Sequence, residues 1–359
     1  MFRLTCFFIC ACFAGQVVAQ PEVKDSLISL LNSGITGKQK VDVLNDLSYQ
    51  FFDFNDSIAA NYADQALTEA TKINYPKGIK FAYTMVGMGY ASKSMHQWAI
   101  LNFRKSHAVK APDADGIAVY NLNLLGNTFR EQAMYDSALA AYQLAVKNFG
   151  NSEKHRLATL YKNLGYLKVI LWENQAGLKY LDSASAILKD HANPYLLIDV
   201  ESAYGEAYQN LGQFDKSEFY YSKMCSSARD LNDYYHQIKC LINKTQLNSN
   251  RGNFPSALKF GLEALELTNI YSYPPQQVKL LYEVGSIYVK LSEYDLANKY
   301  FLQALRLSEQ HNLVLETARI YVQMAWIYKD QGNYKVGLDY TNQAQAISEK
   351  IGDKYGAAN

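Results

Sequence analysis

Proline is scarce in this sequence, seven in 359 residues, and glycine keeps no three-residue period, which removes collagen-like folds. An excess of charge is missing too. With 35 Lys and Arg against 34 Asp and Glu, there is no electrostatic basis for binding nucleic acid or an anionic membrane surface. Beyond the first twenty residues there is no run of 18 consecutive apolar residues, so no later segment is long enough to cross a bilayer as a helix. Cysteine is limited to five positions, three of them near the start, which excludes a disulfide-framework miniprotein. Hydrophobic residues make up 49% of the chain, too many for a disordered one. What is plentiful is tyrosine, with 29 copies.

The opening, MFRLTCFFICACFAGQVVAQ, has a basic start at Arg3, an apolar stretch from Leu4 to about Ala14, and small residues at Val17 and Ala19. This is the layout of a secretory signal peptide, residues 1–19, with cleavage after Ala19. The apolar core falls short of the roughly 20 residues of a membrane anchor, and a lipoprotein-type site at Cys12 would leave a very short apolar region. The expected protein is exported, periplasmic or at the cell surface, without direct membrane insertion after signal removal. Cleavage removes Arg3, Cys6, Cys10 and Cys12, leaving 34 bases against 34 acids and only Cys225 and Cys240.

Length alone would allow two or three domains, but an internal repeat overrides that count. A small residue recurs at Ser48, Gly87, Gly126, Gly165, Gly205, Thr245, Gly285 and Ala325, in steps of 39, 39, 39, 40, 40, 40 and 40. Twelve residues after each stands a second small residue: Ala60, Ala99, Ala138, Gly177, Ser217, Ala257, Ala297 and Gly337. Small residues at a helix crossing allow close packing, so each unit reads as helix A, a short turn, helix B and a linker. Gly212, Gly252 and Gly332 occupy the turns, where glycine can take the left-handed conformation that ends a helix. Pro76, Pro112, Pro194, Pro274 and Pro275 fall between units and Pro255 in the first turn of a helix B, so none interrupts a helix.

The small residue with aromatics three and nine positions on, Gly285, Tyr288 and Tyr294, then Ala297, Phe301 and Ala304, resembles the tetratricopeptide repeat. Gly126, Phe129, Tyr135, Ala138, Tyr142 and Ala145 fit the same frame. The resemblance covers residues 40–350 as eight units, with a period of about 40 against the usual 34, similar to a lengthened variant in signalling adaptors and peptide-sensing regulators. It implies an all-α fold, a right-handed superhelical solenoid of antiparallel helix pairs. Residues 20–39 are expected to hold an N-terminal capping helix, and 351–359 a linker opening a ninth helix A. Three units depart from the pattern: the fourth has Lys168 and Asn174 at aromatic positions, the sixth has Asn248 and Gly261, and the first has an extra residue before Ala66.

Catalytic signatures are missing. The histidines at 96, 107, 155, 191, 236 and 311 are scattered without metal-ligand spacing, Gly87-Met88-Gly89 lacks the context of a phosphate loop, and GxSxG does not occur. The expectation is a non-enzymatic protein with no cofactor and no metal. Cys225 and Cys240 come to similar heights on neighbouring antiparallel helices, with His236 four residues before Cys240; the first reading is a disulfide, allowed in an oxidising compartment, with a metal site needing a fourth ligand as its lesser form, and the second is two small buried side chains. The second reading is preferred.

In this family the concave face, lined by helix A residues outside the packing positions, carries function. It is expected to display Asn123, Asn127, Arg130, Lys162, Asn163 and Tyr166, then Glu206, Gln209, Asn243 and Gln246, then Lys279, Tyr282, Arg319, Trp326 and Lys329. Such a mixture suits another protein or an extended peptide. The face is graded: Asp42, Asp46 and Asp53 stand without a base in the first unit, whereas Lys239, Lys279, Lys290, Arg319 and Lys329 face only Glu283 and Asp330 in the last three. A ligand acidic toward the C-terminal units is expected. The two-lysine carboxylate clamp of chaperone-binding relatives is not matched, since Asn123 stands where lysine is expected and Asp199 and Ala203 replace a basic pair. The run Lys40 to Ser48 resembles the start of exported arrays that precede a membrane helix and a histidine kinase or DNA-binding module, so a sensory input region is the alternative to a binding scaffold.

Overall fold

The computed structural model describes residues 21–52, 55–111, 115–150, 154–271 and 273–351. The expected signal peptide, Asp53, Pro112 and the linker after residue 351 lie outside them. Among the described residues there are seventeen α-helices and no strand, an all-α array of helical repeats of the solenoid class. Helix α1 (Pro21–Asn32) packs on α2. Eight A/B pairs follow: α2 (Gly37–Phe51) with α3 (Asp56–Lys72), α4 (Pro76–Ser92) with α5 (His96–Ala108), α6 (Asp115–Glu131) with α7 (Tyr135–Lys147), and α8 (Lys154–Ile170) with α9 (Asn174–Asp190). The rest are α10 (Pro194–Asn210) with α11 (Phe214–Asp230), α12 (Tyr234–Asn250) with α13 (Phe254–Tyr271), α14 (Pro274–Lys290) with α15 (Tyr294–Gln310), and α16 (Val314–Asp330) with α17 (Tyr334–Ile351).

Local chemistry sets these boundaries. Pro76, Pro194 and Pro274 open helices, where a missing N–H costs nothing and the fixed φ suits the first turn. The Asn55 side chain caps α3 by accepting from the N–H groups of Ser57 and Ile58. Every helix A from α4 to α16 ends alike: the residue three past the small anchor accepts, through its carbonyl, the N–H five residues on. Examples are Met95 to Tyr90 at 2.9 Å, Glu173 to Lys168 at 2.9 Å, Asn253 to Asn248 at 2.9 Å and Asn333 to Tyr328 at 2.8 Å. This backbone bond is indifferent to the side chain, which is why Lys168 and Asn248 are tolerated at aromatic positions.

Anchor and helix B are matched by size. A Cβ added to Gly87 would stand 2.6 Å from the Phe103 ring, and one on Gly126 or Gly205 would stand 2.5 Å from Tyr142 or 2.3 Å from Tyr221. Gly165 faces Leu181 and Gly285 faces Phe301 in the same way. The partner always lies sixteen residues further on. In the sixth pair the sizes are exchanged, with Thr245 in helix A and Gly261 in helix B; a Cβ on Gly261 would meet Thr245 at 3.4 Å and Val284 at 2.9 Å. The unusual glycine thus complements a larger anchor.

The first pair corrects one expectation. Ala59, not Ala60, is buried against the anchor, and its carbonyl accepts the Ser48 hydroxyl at 2.8 Å. Counting from Ala59, the buried Ala63 and Ala66 fall four and seven residues on, as Tyr142 and Ala145 do after Ala138. The supposed extra residue before Ala66 disappears; α2 ends three residues after its anchor where the other helices A end five after, so Ser48 and Ala59 stand eleven apart instead of twelve.

Cys225 and Cys240 are joined as a disulfide between α11 and α12, with Cα atoms 5.5 Å apart, against the preferred reading of two unpaired side chains. Consecutive tight turns hold the two helices in register, which brings these Cα atoms within bridging range.

The chain divides into two compact units, residues up to Ala203 and residues from Tyr204, the division falling within α10. Unit 1 centres on Phe103, Tyr142, Leu160 and Leu164, and unit 2 on Val284, Phe301, Ile320 and Met324. Much of the tyrosine is packing. Tyr208 stacks on Tyr220, Tyr288 on Tyr300 and Tyr328 on Tyr340, with centroids 5.4–5.6 Å apart, the geometry aromatic pairs prefer.

Candidate functional site

In unit 1 the proposed face is a bonded network. The Asn163 amide donates to Asn123 Oδ1 at 2.7 Å and to Asn127 Oδ1 at 3.3 Å, and the Tyr142 hydroxyl donates to Asn127 Oδ1 at 2.7 Å. Burial pushes the Tyr142 phenol up to about 12, so it remains a donor at any physiological pH. Asn163 is only 2% exposed; it braces the neighbouring asparagines and is not itself displayed. Arg130 lies over the Tyr166 ring, 5.3 Å from its centre, and Lys162 pairs with Asp199 at 3.5 Å.

At the start of unit 1, burial raises the carboxyl of Asp46 to about 7, with Asp42 adding to the shift and Lys77 opposing it. Asp42 is raised too, by burial, against a hydrogen bond from Tyr75 and the charges of Lys77 and Lys38. The sequence reading of acids without a base is therefore incomplete. Lys77 reaches this face from the next helix A, too far along the chain to be noticed locally, whereas Lys38 stands on α2 itself, four residues before Asp42.

In unit 2, Gln246 Nε2 donates to Glu283 Oε1 at 2.7 Å and Lys290 donates to Ser249 Oγ at 2.9 Å. The Tyr221 hydroxyl bonds Gln209 Oε1 at 3.4 Å, and the Asn243 amide approaches the Met224 sulfur at 3.9 Å. A cleft of about 220 Å³ is lined by Gln209, Gln246, Ser249, Asn250, Glu283, Ser286 and Lys290, drawn from α10, α12 and α14. Ser249, Asn250 and Ser286 escaped the sequence reading; the first two lie about one turn past their anchor Thr245, and Ser286 directly follows the anchor Gly285. The Glu206 carboxyl is raised by burial and pulled back by Lys279 and Lys239. Burial likewise raises the Tyr282 phenol, opposed by bonds to Ser286 and Gln323 and by the Arg319 charge. Trp326 stands exposed, with the Lys329 ammonium 4.2 Å from its ring centre.

One register runs through both units. The sixth residue of each helix A is Asp42, Phe81, Tyr120, Thr159 and Asp199 in unit 1, and Lys239, Lys279 and Arg319 in unit 2. Among the described residues no group of three or more His, Cys, Asp and Glu side chains could hold a metal ion, and no helix is long and apolar enough to cross a membrane.

The tetratricopeptide repeat model matches residues 203–231, 278–311 and 318–351, which cover α11, α15 and α17, most of α14 and α16, and the end of α10. The chain carries tetratricopeptide repeats, here lengthened to about 40 residues. Among solved structures it is similar to a tetratricopeptide repeat protein from Parabacteroides merdae, with 16% identity, 84% of this chain and 99% of that one covered, and a TM-score of 0.55. Aspartyl phosphate phosphatase F from Bacillus subtilis gives 12%, 82% and 77%, and 0.59. The apo form of the quorum sensor NprR from B. thuringiensis gives 13%, 86% and 99%, and 0.55. At these identities the likeness is one of fold. No curated protein matches the sequence.

Proposed function

We propose that the protein is an exported, non-enzymatic scaffold that binds another protein or an extended peptide along its helix A faces. The observation that carries this reading is the set of polar ties linking successive helices A, Asn163 to Asn123, Lys162 to Asp199 and Gln246 to Glu283, between residues 37–40 apart in sequence. Each tie fixes side chains at a surface that the packing core does not require. A surface ordered before its partner arrives loses less entropy on binding.

A photo-cross-linking residue at Gln246 or Asn127 tests the assignment, with Lys299, exposed on α15, as the control position. Cross-linked partners from the groove positions alone are the expected result; equal yields from position 299 would refute the surface. N-terminal sequencing of the exported protein tests the address, with Gln20 expected as the first residue. The sensory reading uses the same face. The likeness in fold to NprR, a quorum sensor, supports this second reading.

A further inference from the structure

Three cations occupy one register position in unit 2. Lys239, Lys279 and Arg319 are each the sixth residue of their helix, in α12, α14 and α16, and these helices pack directly on one another in turn. Lys279 and Arg319 are exposed and Lys239 is half-buried. The acids on the same face are Glu206, Glu283 and Asp330. Glu283 is engaged with Gln246, and the Glu206 carboxyl, half-buried on α10, is felt by Lys279 and Lys239, so three cations face one nearby acid.

We infer that unit 2 binds an extended acidic segment whose carboxylates recur every third residue, one to each of Lys239, Lys279 and Arg319. The inference rests on the binding-scaffold reading and specifies its partner. The spacing follows from two periods. Packed helices lie roughly 8–10 Å apart, and a polyproline II chain rises about 3.1 Å per residue with three residues per turn, so every third side chain returns to one face after about 9 Å. An α-helical partner with acids seven residues apart would match the same step at about 1.5 Å per residue. The cleft, about one to three turns further along α12 and α14 than the row, favours an extended chain on the same face. Beside the charged Glu283 and Lys290 it is lined by Gln209, Gln246, Ser249, Asn250 and Ser286, whose amide and hydroxyl groups suit a backbone without internal hydrogen bonds. A helix satisfies its own backbone and docks through an apolar groove.

The test is fluorescence anisotropy on the full chain with three labelled peptides: glutamates separated by pairs of prolines, an isomer with the glutamates contiguous, and an alanine-based helix with glutamates seven apart. The spaced peptide is expected to bind roughly 10-fold more tightly than its isomer, and to weaken as salt is raised. Lys279→Glu and Arg319→Glu should each cost roughly 5- to 10-fold, and Lys299→Glu, with the same change in net charge, less than about 2-fold. Circular dichroism checks that each variant is folded. Equal binding of the isomer or of the helical peptide overturns the spacing, and an equal loss with Lys299→Glu overturns the row. If no acidic peptide binds while Gln246 still cross-links a partner, this inference fails and the scaffold reading stands. If Gln246 and Lys299 cross-link alike, the scaffold reading fails.

Discussion

Units 1 and 2 are built alike and finished differently. Both pair a small anchor with a bulky residue sixteen positions on, Gly126 with Tyr142 and Gly205 with Tyr221. Yet the turns inside the pairs of unit 1 place Ser94, Ala133 and Trp172 at positive φ, whereas unit 2 uses Gly212, Gly252 and Gly332 and keeps only Ser292. Among the described residues the disulfide lies in unit 2. At the sixth helix A position unit 1 has acids and neutral side chains, and unit 2 has three cations. The packing rule and the displayed surface therefore vary independently, as expected of an array in which each repeat contacts only its neighbours.

The shared rule can be broken in either unit, with the largest effect. Gly126→Leu and Gly205→Leu should each destabilise by roughly 3 kcal/mol through overpacking, read as a fall in the urea midpoint. Gly89→Ala, with nothing within 4 Å of its added Cβ, should be neutral or slightly stabilising. A tolerated Gly126→Leu would show that ring and anchor do not set the helix spacing.

Reduction of the disulfide sharpens the contrast. The bridge spans 15 residues, and losing such a closed loop costs about 3 kcal/mol. Hydrogen exchange after reduction should quicken in α11 and α12 and stay unchanged in α2 to α9. Uniform quickening would mean that the two units do not behave separately.

The next effect belongs to unit 1. Asp46 has a carboxyl raised to about 7 from 3.8, first by burial and then by Asp42. Between those values the folded chain holds a proton that the unfolded chain has released, so stability falls as pH rises through this window and the loss is complete above about 7. Asp46→Asn should therefore stabilise α2 and its surroundings by roughly 1–2 kcal/mol at pH 8 and very little near pH 4, after discounting for partial exposure. Hydrogen exchange in α2 at the two pH values decides it. The smallest effect lies in the turns. Ala133→Gly should stabilise unit 1 by about 0.5–1 kcal/mol, and Gly212→Ala should cost unit 2 about 1 kcal/mol, because L-residues resist the left-handed conformation. Thermal melts of both variants would show equal shifts of the same sign if φ were irrelevant.

The fold was legible because its signals are local and repeated. Anchor spacing, turn glycines and proline placement all arise within one 40-residue unit. The slip at Ala60 arose where α2 stops two residues earlier than the other helices A, at a boundary that helical periodicity does not mark. Face positions such as Gln246 and Lys279 were also legible, since a helix fixes which residues share a side. Their partners were not. Asn163 with Asn123, Gln246 with Glu283, and Lys77 beside Asp46 join neighbouring pairs, and only the assembled packing decides whether a polar side chain is displayed or braces another. The disulfide failed as a sequence reading for a similar reason: cysteines in small buried niches and cysteines in a bridge look alike in one dimension.

Trp98, Trp172 and Trp326 are 53%, 72% and 53% exposed, so the indoles of this protein report on its surface and little on its core. Trp326 is the only tryptophan of unit 2, beside Lys329 on the proposed binding face. In a chain carrying Trp98→Phe and Trp172→Phe it becomes a single intrinsic emitter, able to signal occupancy of that face by a change in colour or quenching without any attached dye.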